Sequence, residues 1–110
     1  MASLRVVLYL GCLTGTSLTV GGSTYNLVEA TFHKGAHFVL GTPIVAPLST
    51  PTQFLSGFLN ATYDGQNNVA TCINGGVSWV GDIPDRDNNG NLIYYQFPVY
   101  YTGDTAQYLS

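Results

Sequence analysis

The chain has 110 residues, enough for one domain that buries a core without staples. Only 8% of them are charged, against about 25% in an ordinary domain, while 45% are hydrophobic, which disfavours disorder. The formal net charge is -3 and the cationic side chains Arg5, Lys34 and Arg86 are scattered, which excludes the clustered basic groups of direct nucleic-acid binding and a polybasic membrane patch.

With so few charges, solubility rests on neutral polar groups, a surface associated with virion components, secreted domains and assemblies. Residues 1–15 combine one arginine, an apolar run and small residues, as an export signal does, and Gly11-Cys12 even suggests a lipoprotein cleavage site. The apolar run is short, however, and Leu4, Val6, Leu8, Leu10 and Cys12 alternate with period two, which predicts an opening strand. A bridge between Cys12 and Cys72 is an option; two plain cysteines on apolar strands is the commoner outcome.

Residues 17–20 read as a second short strand with Leu18 and Val20 on one side. Residues 24–32 read as a third, with Tyr25 and Leu27 on one face and Val28, Ala30 and Phe32 on the other, so both faces are apolar and the strand is expected either to be buried on both sides or to be covered on one side by another subunit. In an extended strand Glu29, His33 and His37 share parity and could face one metal ion, but Lys34-Gly35 reads as a turn that separates the histidines. Residues 38–46 form two strand pieces around Gly41 and Pro43, followed by a linker through Pro47 and Pro51.

Thr50-Pro51-Thr52-Gln53 has the form of a helix start, and Phe54, Leu55, Phe58 and Leu59 fit a helical stripe, so one short helical turn is expected to feed a strand. A three-stranded antiparallel meander then follows, over residues 58–63, 69–73 and 77–80, punctuated by Asp64-Gly65 and Asn74-Gly75-Gly76 and anchored by Trp79, the sole tryptophan. Asn60-Ala61-Thr62 matches a glycosylation acceptor, a motif that arises often by chance.

Asp85, Asp87 and Asn89 before Gly90 reproduce the opening of a calcium loop, with Gln96 where the closing carboxylate belongs; a plain Asn89-Gly90 hairpin turn is favoured, with no metal. Residues 92–101 give the longest strand pattern, with Ile93, Tyr95, Phe97, Val99 and Tyr101 toward the core and Pro98 at an edge or at the end of pairing. Its tyrosines form a partly exposed row. Residues 104–110 close as a polar tail or one helical turn.

These elements predict an all-β fold, a single-domain antiparallel β-sandwich or small barrel over residues 1–110 with at most one short helical turn. The expected core is Val6, Leu8, Leu10, Phe38, Phe58, Val69, Ile73, Trp79, Ile93 and Phe97. No catalytic motif or cofactor fingerprint occurs, so a non-enzymatic chain without cofactor is expected.

Leu40-Gly-Thr-Pro-Ile-Val-Ala, then Phe54-Leu-Ser-Gly-Phe-Leu-Asn-Ala-Thr, then Val69-Ala-Thr-Cys-Ile-Asn-Gly-Gly-Val-Ser-Trp-Val resembles, in its rhythm of short strands and glycines, the small β-rich head-decoration (cement) proteins of tailed phages. The resemblance implies a virion subunit on the outer capsid surface that reinforces a shell. Its partners would be copies of itself, as in a trimer, and a larger capsid-type protein, with neither direct nucleic acid nor membrane. Tyr25, Leu27, Tyr94 and Tyr100 are the candidate interface residues. The alternative is a secreted carbohydrate-binding or adhesin-type domain, in which Trp79 and the tyrosines stack on sugars.

Overall fold

A computed structural model describes residues 6–45, 49–63 and 67–108. Leu4 and Arg5, the Pro47 linker position, the Asp64-Gly65 turn and the last two residues lie outside them. In chain order the elements are β1 (Val6–Leu8), β2 (Ser17–Val20), β3 (Ser23–Asn26), α1 (Leu27–His33), β4 (Phe38–Gly41), α2 (Ser49–Tyr63), α3 (Val69–Val80), β5 (Ile83–Arg86), β6 (Leu92–Tyr95) and β7 (Tyr100–Gly103). The protein is therefore a mix of α and β, which overturns the all-β expectation. It divides into two compact units, residues 1–47 with 98–105 and residues 48–97 with 106–110.

In the first unit a three-stranded sheet has the order β1-β4-β7, with β1 parallel to β4 and β7 antiparallel to it. The expected strand over 24–32 stops at Asn26, because that side chain caps a helix: its Oδ1 accepts the Glu29 amide at 3.1 Å. Helix α1 buries Val28 and Thr31 one turn apart. The Thr31 hydroxyl donates to the Leu27 carbonyl at 2.8 Å and accepts from the Tyr9 phenol at 2.7 Å, so this buried oxygen is satisfied from both sides. Gly35, at φ +111°, makes the expected break after Lys34. Strand β4 is wholly buried, and Val28, Ala36 and Val39 pack with Val7, Tyr9 and Phe32. Val6, Leu8 and Leu10 are only half-buried, since β1 has a ladder partner on one side alone among the described residues.

The second unit replaces the expected meander with a helical hairpin. Asn68 caps α3 by accepting from the Thr71 amide at 3.0 Å, and the buried residues Val69, Cys72, Ile73 and Gly76 follow the spacing of one helix face. On α2, Pro51, Phe54, Gly57 and Phe58 are buried by the same periodicity, so the predicted short turn continues for fifteen residues. Gly75 and Gly76 form no turn; they let the helices touch. A Cβ on Gly57 would collide with the Gly75 carbonyl and stand 2.9 Å from the Gly76 Cα, while one on Gly76 would stand 2.7 Å from the Phe54 ring. Phe54 stacks on Phe97 at 5.3 Å, and Val69 donates its amide to Gln107 O at 2.9 Å.

Phe38, Phe58, Val69, Ile73 and Phe97 are buried as expected. Trp79, 57% exposed, and Ile93, 42% exposed, are not core residues. The strand pattern over 92–101 splits into β6 and β7, with pairing interrupted around Pro98, whose carbonyl accepts the buried Thr42 hydroxyl at 3.0 Å.

Candidate interaction surfaces

Strands β2 and β3 form a two-stranded antiparallel hairpin in which Leu18 faces Tyr25 and Val20 faces Ser23, while Ser17 and Thr19 face Asn26 and Thr24. Side chains alternate across a strand, so one hairpin face is apolar and the other polar. On the polar face Thr19 and Thr24 share a 3.2 Å hydrogen bond and Asn26 Nδ2 donates to Ser17 at 3.2 Å. The apolar face stands in water: Leu18 is 64% and Tyr25 59% exposed, and Val20 is exposed as well.

That face continues into a groove of about 630 Å³ whose lining includes Leu18, Tyr25, Leu27, Glu29, Ala30 and His33. The helix brings Glu29 and His33 to it by their four-residue spacing, whereas the extended reading had placed them with His37. The Tyr100 phenol, on β7, donates to Glu29 Oε1 at 2.8 Å. That bond, together with partial desolvation and the charge of the carboxylate, raises the Tyr100 pKa above its ordinary value. Of the four candidate interface residues, Tyr25 and Leu27 line this groove together with Glu29, and Tyr100 bonds to Glu29; all three belong to the first unit. Tyr94 is exposed on β6 in the second unit.

Cys12 follows β1 on the carboxyl-terminal side of the parallel pair. It is exposed, Cys72 is buried, and neither is in a disulfide. Its turn is pinned: the Thr14 hydroxyl lies 2.9 Å from Tyr9 O and 2.8 Å from Gly11 O, and accepts the Thr42 amide at 3.1 Å. Leu13, next to the cysteine, has φ +62°, the sole positive φ outside glycine among the described residues.

In the second unit Asp85 of the calcium candidate lies in β5, paired with Ile93, while Asp87 and Asn89 lie in the hairpin loop between β5 and β6. Asp87 Oδ1 accepts the amides of Asn89 and Asn91 at 2.9 and 2.8 Å, Oδ2 accepts Asn91 Nδ2 at 3.3 Å, and Arg86 reaches the Gly90 carbonyl at 3.1 Å. The backbone bond from Asn91 leads in lowering the Asp87 pKa; desolvation opposes it. Among the described residues no three His, Cys, Asp or Glu groups cluster as a metal site. The Asn60-Ala61-Thr62 motif lies within α2, and the Thr62 hydroxyl donates to Phe58 O at 2.9 Å.

A second groove, of about 700 Å³, runs over the α2–α3 hairpin, lined by Gly57, Asn60, Ala61, Tyr63, Asn67, Gly75, Ser78 and Trp79. The sequence singles out Trp79 and the tyrosines as possible sugar platforms, Asn60 as an acceptor and Gly75 as a turn, but does not bring them together, because a strand pattern over these residues lacks the helical spacing that gathers them.

Comparison with known proteins gave no match, whether to family models, to curated proteins or to solved structures.

Proposed function

We propose that this chain is a non-enzymatic assembly protein that works by burying the apolar face of its β2–β3 hairpin against another protein, copies of itself first. The observation that carries the reading is that hairpin, apolar on one side and open to water. A two-stranded hairpin is at best marginally stable in water unless something covers it. Contiguous exposed apolar surface of this kind marks interaction sites. A larger shell remains a partner to test, although the stretch whose strand rhythm resembled decoration proteins is helical over α2 and α3. Light scattering of the chain beside a Leu18→Ser/Tyr25→Ser variant tests self-association. A mass above the monomer that falls in the variant supports the proposal; equal monomeric masses for both proteins, with neither cosedimenting with capsid shells, reject it.

The placement of Cys12 favours a second reading, thiol chemistry. In open α/β sheets reactive groups and ligands gather outside the carboxyl ends of parallel strands, and a strained backbone residue beside a nucleophile is a feature of catalytic turns. His37 directly precedes β4, at the opposite end of the parallel pair, and His33 lines the hairpin groove, so the fold sets neither histidine at the carboxyl end where Cys12 lies. Electrophilic peptide probes separate the readings, with buried Cys72 as an internal control. Cys12 labelling faster in the native protein than in urea supports thiol chemistry; labelling no faster in the native protein rejects it.

A further inference from the structure

We propose that the groove over the α2–α3 hairpin binds a neutral oligosaccharide. Its volume, about 700 Å³, falls within the range of small-ligand sites, roughly 300–1,000 Å³. The floor is Gly57, Gly75 and Ala61, where the helices approach too closely for larger side chains and leave a shallow bed of backbone. Two aromatic rings flank that bed without joining the core: Tyr63 is 82% exposed and Trp79 57% exposed. An exposed aromatic face suits the C–H face of a pyranose ring, because both are apolar and the ring edge beyond them can stay wet.

The polar groups match the same ligand. Asn60, Asn67 and Ser78 line the groove, and Asn67 Nδ2 donates to the Ala61 carbonyl at 3.1 Å, which holds that amide at the groove wall. Amides and hydroxyls both donate and accept, as sugar hydroxyls do. A proline-rich segment, the other common guest of aromatic grooves, offers only carbonyl acceptors along its proline backbone and would use the donors alone. None of the described lining residues is Asp, Glu, Lys, Arg or His, so they offer a charged ligand no counter-charge.

Trp79 is the sole tryptophan, so its emission reports on the groove directly. The full chain is titrated with cellohexaose, chitohexaose, maltohexaose and mannohexaose, and with decaproline as the competing probe. The expected result is a saturable emission change with at least one of the sugars, weakened by about tenfold or more in Tyr63→Ala. Tyr63 is so exposed that its truncation should leave the fold intact, which circular dichroism verifies. Silence with all the sugars, or a sugar bound equally well by Tyr63→Ala, overturns the proposal. Saturation by decaproline alone assigns the groove to a proline-rich partner and overturns it too.

Discussion

Gly57 on α2 and Gly76 on α3 lie so close that a single added carbon on Gly57 would sit 2.9 Å from the Gly76 Cα. The atoms it would meet are mainly backbone, which cannot rotate away. Gly57→Ala gains about 1 kcal/mol of helix propensity and loses more to overpacking of about 1–3 kcal/mol, so a net destabilisation is expected. Gly75→Ala meets its nearest atoms at 3.1 and 3.2 Å and should be milder. Urea denaturation of both variants checks the order; Gly57→Ala as stable as the parent would show that the helices do not meet there.

Phe54 is fully buried and packs on Phe58 and Phe97, so Phe54→Ala should cost about 3–5 kcal/mol. Trp79, which the sequence suggests as the core anchor, should cost only about 1 kcal/mol on truncation, because more than half of it is already wet. Thermal melts of the two variants give the comparison. The larger loss for Trp79 would restore it to the core.

Asn68 accepts both the amide and the hydroxyl of Thr71 at 3.0 Å, closing the first turn of α3. Asn68→Ala should therefore lose about 1 kcal/mol, and Asn68→Asp should keep most of it, since a carboxylate accepts the same bonds and suits a helix N-terminus. Denaturation midpoints at neutral pH test the pair.

Tyr100 donates to Glu29, and its pKa is raised above 10.0 chiefly by that bond. A raised phenol contributes stability that is fully present below pH 10.0 and is lost as pH rises through the folded value. Alkaline titration by ultraviolet absorbance should thus show a late-ionising tyrosine that disappears in Tyr100→Phe and moves earlier in Glu29→Gln. An unchanged titration in both variants would remove the contact.

Much of the first unit was legible. The strand at β2, the strand opening at Phe38, the break at Lys34-Gly35 and the end of pairing near Pro98 follow from local chemistry; Tyr25 and Leu27 line one groove, and Tyr100 bonds to Glu29, which lines it too. The second unit was misread because Val69, Ile73 and Val77 satisfy an even spacing as well as a helical one, and β-branched residues beside Gly75-Gly76 favour the strand on local preference alone. What decides is tertiary: the glycines admit a facing helix, and only the packed pair shows why they are there. The aromatic groove was hidden for the same reason, since Tyr63 and Trp79 converge only when both segments are helical.

Hydrogen exchange of the hairpin amides over residues 17–26, followed as the protein is diluted, tests most directly whether the apolar hairpin face is an assembly surface. An isolated hairpin opens readily, so covering it should slow exchange. Protection that rises with protein concentration, and stays low in Leu18→Ser/Tyr25→Ser, is the predicted result. Protection that is the same at every concentration and in the variant would contradict the proposal.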